Sequence, residues 1–282
     1  MITLPAPDER TTRLWVAVFE LHERMPKDWT LVGGQMVLLH CIERGTFPVR
    51  ATNDLDAVLD VRANAHVLLD FTSHLQQVGF KPTGTSPQGH QHRWVRDDVS
   101  IDVMIPRHVG ERAARRTGVT RATTLETPGA QQALNRSATV EMLVAGRNGQ
   151  VNRPSLLGSL VAKAAAHTVL VDPGRDRHLL DFVTLAALVT STDGVQRATR
   201  RDRYYLEGML GALTHRPDVV ASVSGGAEGV QRVRQLVQLA QIHGNPSLVS
   251  QPTPQWARQD QTTRHSRTDV DSIGSGPGLP SE

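Results

Sequence analysis

The chain has 282 residues, a formal net charge of +3 and an isoelectric point near 9.5. That length suffices for one large or two small domains with a real core, and the mild basic bias permits an anionic partner such as RNA without demanding one. A single cysteine, Cys41, excludes an internal disulfide and a cysteine-based zinc site, and no apolar run is long enough to span a membrane. The N-terminus carries no basic-apolar leader pattern, so the expected location is cytoplasmic, with no membrane partner. Aromatic residues are 4% of the chain, so aliphatic side chains must build most of the core.

Residues 10–25 read as an amphipathic helix, with Leu14, Val18 and Leu21 at helical spacing and Pro26 as its stop. Trp29–Val32 reads as a short buried strand. Gly33 and Gly34 follow, free of any Cβ, and let the backbone turn sharply and approach a ligand. Residues 35–44 then read as a helix whose N-terminal amides would face the same spot, a ready anion site. On its own the glycine pair is first a tight strand-to-helix turn. Cys41 lies on this apolar helix, where a buried structural thiol is the expectation.

Residues 45–53 read as a loop, 54–61 as a strand and 63–78 as an amphipathic helix that returns the chain for the next strand. Segments 88–96 and 99–105 form an expected hairpin, with Asp97 and Asp98 as turn residues. The stretch from Arg107 to Arg121 carries five arginines, first a solvated face and second a nucleic-acid contact. Residues 138–151 read as another hairpin, with Asn148-Gly149 as its turn signal.

From Asn152 the pattern turns helical. Pro154 suits a first helical turn, 156–169 is rich in Ala and Leu, and Asp172-Pro173-Gly174 breaks it. Helices are expected over 175–188, 194–213 and 228–242. Within Arg197–Tyr205, base alternates with aromatic, which reads as a charged helix flank or as a phosphate-and-stacking surface. Residues 246–282 are rich in Gln, Ser, Thr, Gly and Pro, too polar to offset their ordering entropy, so a disordered tail is expected there. The expected fold class is α/β (α+β): a small mixed sheet with flanking helices over residues 1–152, then an α-helical region over 153–245.

The chemistry concentrates on acids. Strand alternation puts Asp54 and Asp56 on one face. Asp102 stands among apolar neighbours in Val-Ser-Ile-Asp-Val-Met-Ile. If its strand pairs beside theirs, three carboxylates converge, and their mutual repulsion calls for a cation. Mg²⁺ or Mn²⁺, hard ions with oxygen ligands, suit that set, and two such ions bridging a nucleoside triphosphate would make a phosphoryl-transfer site. Lys163 stands on an otherwise apolar helix, with His167 one turn on. A lysine so placed usually reaches to solvent. Asp181 on the next helix reads equally as a surface salt-bridge partner.

The order Gly33-Gly34, helix, Arg50-x-Thr52-x-Asp54-Leu-Asp56, and a later Ile-Asp102 on a strand resembles the nucleotidyltransferase superfamily. Within it the chain resembles the AbiEii-type toxin branch, which includes the mycobacterial MenT transferases, over residues 25 to 190. That resemblance implies that Gly33, Gly34 and Thr52 border the triphosphate and that Asp54, Asp56 and Asp102 hold the metal. Asp102 would also accept the proton of the attacking hydroxyl. It further implies that Lys163 holds the triphosphate and that Asp181, in Arg177-His178-Leu-Leu-Asp181, orients it or supports the metal site. His178 stands where that family often has an acid. The implied reaction is transfer of a nucleotide from an NTP to an acceptor hydroxyl, a tRNA 3′ end in the toxin branch, under restraint by a cognate antitoxin. A small-molecule acceptor, as in aminoglycoside nucleotidyltransferases, and a non-catalytic nucleotide- or RNA-binding module are the alternatives.

Overall fold

The computed structural model describes residues 1–86 and 88–243. The tail expected over 246–282 lies outside the described residues. In chain order the elements are β1 (Ile2–Leu4), α1 (Glu9–Arg24), β2 (Trp29–Val32), α2 (Gly33–Glu43), β3 (Asp54–Leu59), α3 (Val67–Gln77), β4 (Lys81–Pro82), β5 (Arg93–Arg96), β6 (Val99–Pro106) and α4 (Glu111–Ala114). There follow β7 (Leu125–Thr127), α5 (Ala130–Leu134), β8 (Ser137–Val144), β9 (Arg147–Pro154), α6 (Leu156–Ala166), α7 (Asp176–Ala187), α8 (Arg200–Thr214), α9 (Pro217–Ala221) and α10 (Gly226–His243). The fold is α+β, as its patterning implied, with a mixed sheet, flanking helices and a helical C-terminal region.

The main sheet runs β2-β3-β6-β5-β4, with β7 added to β6. β3 and β6 are parallel neighbours, while β2 pairs antiparallel with β3, and β5 with β6. A second sheet of β1, β8 and β9 lies beneath α1. Residues Met1–Gln241 form one compact unit. Its core is mostly aliphatic, with Trp15, Phe19, Phe71, Trp94 and Phe182 fully buried in it.

Local chemistry sets the helix ends. Asp8 caps α1 by accepting the Thr11 amide at 2.7 Å. Ser155 caps α6, accepting from the Gly158 amide. Thr199 and Asp202 form a reciprocal capping box that starts α8 at Arg200. The helix expected from Gly194 therefore starts later, and Val195–Arg197 is a 3₁₀ turn instead. The helix expected from 63 likewise starts at Val67, because Asp60 accepts the Arg62 and Ala63 amides in a turn.

The second hairpin differs from its sequence signal. Its turn is Ala145-Gly146, both at positive φ (48° and 80°), the pairing that two-residue hairpin loops favour. Asn148 and Gly149 lie inside β9, opposite Leu143 and Met142. Gly149 is there for packing, since a Cβ on it would stand 2.1 Å from Phe19 Cγ. Cys41 is buried as expected, and burial, helped by Asp181, pushes its thiol up to about 12.

Candidate active site

Val32 ends β2 opposite Asp56. The next residue, Gly33, takes φ +71°, which an L side chain rarely adopts, and α2 begins at once. A Cβ on Gly33 would fall 1.7 Å from Asp56 Oδ2, and one on Gly34 would fall 2.5 Å from Thr52 Cγ2. The groups that press against the glycines are thus the protein's own Asp56 and Thr52 side chains. The buried Gln35 donates its Nε2–H to the Thr52 carbonyl at 3.0 Å and pins the 45–53 loop beside the start of α2.

The acids converge through strand register. Asp56 pairs with Asp102 across the parallel β3–β6 ladder, and Asp54 pairs with Ser100. Asp54 accepts the Ser100 hydroxyl at 2.6 Å. Asp56 is half-buried. Burial first, then the charges of Asp102 and Asp54, push its carboxyl up to about 6, against the pull of Lys163.

β5 brings a residue that motif reading passed over. Arg93 lies opposite Asp102 in the antiparallel β5–β6 register. Its Nε and Nη2 donate to the two Asp102 oxygens at 2.8 and 2.7 Å, and Nη2 lies 3.9 Å from Asp54 Oδ2. A signal for it existed: a two-residue turn at Asp97-Asp98 carries the register back so that 93 faces 102.

The helical side supplies cations. Lys163 on α6 is 3% exposed and donates to Asp181 Oδ2 of α7 at 2.6 Å. Arg50, from the 45–53 loop, grips the same carboxylate through Nε and Nη2, both at 2.7 Å. Burial alone would raise the Asp181 carboxyl, but Lys163 and Arg50 overcome it and hold it below the usual range. His178 is pushed down to about 4 by burial and by the nearby Lys163 and Arg177. It is therefore neutral near pH 7, and its Nε2 lies 3.2 Å from Asp172 Oδ2.

Gly33, Gly34, Thr52, Asp54, Asp56, Asp102 and Lys163 all line one cleft of about 690 Å³. Asp181 stands behind Lys163 and Arg50. Arg93, Arg177 and His178 join the lining, and Met104 and Leu125 extend it with apolar surface. In the two arginine stretches, Arg115 pairs with Glu111, Arg116 donates to the Asn64 carbonyl, Arg203 donates to the carbonyls of Ala198 and Ala240, and Arg107 joins the cleft lining.

Three oxygen-only carboxylates on adjacent strands, one of them with a raised pKa, are a donor set that suits a hard divalent cation. Their present arrangement does not close around one. Among the described residues no three His, Cys, Asp or Glu side chains stand together as a metal-holding group, and Arg93 occupies both oxygens of Asp102.

No family model and no curated protein matches this chain. Among solved structures it is similar to an antigenic nucleotidyltransferase-like protein from Paracoccidioides brasiliensis, at 15% identity and a TM-score of 0.44, over 75% of this chain and 91% of that one. No described helix is long and apolar enough to cross a membrane.

Proposed function

We propose that this chain is a metal-dependent nucleotidyltransferase that moves a nucleoside monophosphate from an NTP to an acceptor hydroxyl. The observation that carries the reading is the in-register pairing of Asp56 with Asp102, one step from Asp54, in the same cleft as the buried Lys163 ammonium. Asp54, Asp56 and Asp102 would hold Mg²⁺ or Mn²⁺. Such an ion, when bound, polarises the phosphoryl oxygens and neutralises their charge.

The chain's own residues do the rest. Lys163, fixed by Asp181, presents a point charge to the β- or γ-phosphate. The first amides of α2 and the Thr52 side chain border the triphosphate. An Asp102 oxygen accepts the proton of the acceptor hydroxyl as its oxygen bonds to the α-phosphorus in line and the bond to pyrophosphate breaks. The acceptor we favour is a tRNA 3′ end, which would make the protein the toxin of an AbiEii-type pair, restrained by an antitoxin protein. The aminoglycoside-type alternative uses the same phosphoryl chemistry on a small hydroxyl-bearing acceptor.

A second reading has its own observation. A non-catalytic nucleotide- or RNA-binding module has no need of free metal ligands, and Arg93 already satisfies Asp102. Incubation of the purified protein with total RNA, each labelled NTP and Mg²⁺ separates these readings. Label in a tRNA-sized band is the expected result. Label only in added aminoglycoside assigns the small-molecule acceptor, and binding without transfer assigns the module.

A further inference from the structure

The acid cluster already contains a cation, and its placement is specific. Both oxygens of Asp102 accept from the Arg93 fork, at 2.8 and 2.7 Å, and the same guanidinium reaches to 3.9 Å from Asp54. Arg93 thus spans two of the three carboxylates that a divalent ion would need. The contact is not a chance of a mobile loop. Arg93 and Asp102 are cross-strand partners, four residues either side of the tight β5–β6 turn is built from the same ladder, and Arg96 faces Val99 next to that turn.

The neighbouring ion pair shows what a permanent lock looks like in this fold. The Asp181 carboxylate is 3% exposed and is held by two cations, Lys163 and Arg50. The Arg93 side chain is 44% exposed; among the described residues its side-chain hydrogen bonds go to Asp102, with Asp54 at 3.9 Å as a longer ion pair. The Asp102 side chain is 13% exposed and the grip is two-pronged, so the pair is firmer than an ordinary surface one. A divalent ion can still exchange with it, because it brings twice the charge and takes Asp54 and Asp56 as further ligands. Water stands ready for the exposed guanidinium once released.

We propose that Arg93 is the resident counter-cation of the acid cluster, and that a divalent ion completes its coordination by displacing the Arg93 fork from Asp102. The inference rests on the reading of Asp54, Asp56 and Asp102 as metal ligands, and goes beyond it by making metal entry a competition between two cations. Release of Arg93 also frees the Asp102 oxygen that the proposed transfer uses as proton acceptor, so metal binding and exposure of the base become one event. Arg93 acts here as a positioning residue.

The test is Mn²⁺ binding to nucleotide-free protein, read from the paramagnetic resonance signal of the free ion. With the charge competitor gone, Arg93→Gln should bind Mn²⁺ ~10-fold more tightly than wild type. Arg93→Lys keeps the charge without the two-pronged grip and should fall between them, which keeps the test open if the Gln variant folds poorly. The gain should vanish when Asp102→Asn is added to Arg93→Gln. Equal or weaker Mn²⁺ binding by both Arg93 variants, or a gain that survives Asp102→Asn, overturns the displacement and leaves the metal reading standing. No Mn²⁺ binding by wild type or variants, with melts showing them folded, overturns both.

Discussion

Asp56 shows how a cleft built for a ligand stores unfavourable charge. In the folded, metal-free protein its carboxyl titrates at about 6, against about 3.9 in an unfolded chain. Between those values the folded state holds a proton that the unfolded state has released, so stability falls as pH rises from about 4 through 6. The loss is on the order of 2 kcal/mol, reduced by water in the open cleft. Asp56→Asn keeps the volume and removes the charge. Urea midpoints in chelator should therefore be higher for Asp56→Asn than for wild type at pH 8, and should converge near pH 4. A wild type as stable as the variant at pH 8 would show that the carboxylate is already neutralised. At Asp181 the logic reverses. Asp181 is the single anion between two cations, so Asp181→Asn leaves Lys163 buried without its partner, at a cost of roughly 3–5 kcal/mol. Lys163→Met leaves Asp181 still bound to Arg50 and should cost less, about 1–3 kcal/mol, while raising the NTP KM by orders of magnitude. Chemical denaturation and NTP kinetics on the two variants would establish the order, and a larger stability loss in Lys163→Met would reverse the roles given to the pair.

At the scale of elements, the β8–β9 hairpin separates two uses of glycine. Gly146 turns the chain at φ +80° with open space around it, whereas Gly149 leaves room for the Phe19 ring. A Cβ at Gly149 must displace fully buried aromatic packing, so Gly149→Ala should lower stability by about 1–3 kcal/mol. Gly146→Ala carries only the conformational penalty of a positive φ, about 1 kcal/mol. Thermal melts of the two variants check the ranking. The same hairpin shows what a sequence conveys and what it hides. Asn148-Gly149 is the stronger turn signal by composition, yet Phe19, far away in sequence, had already claimed that glycine. Helix cores such as 10–25 were legible because apolar spacing and a following proline act locally. The start of α8 was misplaced because a capping box at Thr199 and Asp202 outweighed a pattern beginning at Gly194. The three acids and Lys163 were legible as residue types in order. No motif marks Arg93; it was legible only by carrying the register back through the expected Asp97-Asp98 turn, which sets 93 opposite 102. Arg50 stood in the quoted motif, but its role depends on reaching Asp181 of α7, far along the chain.

At the scale of the whole described unit, sheet and helices share one core, and polar links cross the change of pattern at residue 152. His40 Nε2 lies 2.8 Å from Ser159 Oγ, and Arg44 pairs with Asp193. Arg136 holds the fully buried Asp202, and Arg50 reaches Asp181. Each link is broken if either half unfolds alone, and a buried charge stripped of its partner is costly. Residues 1–241 should therefore unfold in a single transition, and not as a sheet domain followed by a helical one. The chain carries its own reporters for this. Trp15, Trp29 and Trp94 lie in the first half and Tyr204 and Tyr205 in α8, so replacing Trp256 by Phe confines the tryptophan signal to the first half. Urea transitions followed by tryptophan fluorescence, and by helical circular dichroism, which the C-terminal helices weight heavily, should then coincide in midpoint and slope. Separate midpoints would support a domain boundary at 152–153. In that case the cleft, with its acids on the sheet and its lysine on α6, would open whenever the weaker half did. Coincident midpoints mean that the fold's full stability holds Lys163 facing Asp56, so substitutions that weaken Arg136–Asp202 should lower global stability before they disturb NTP binding.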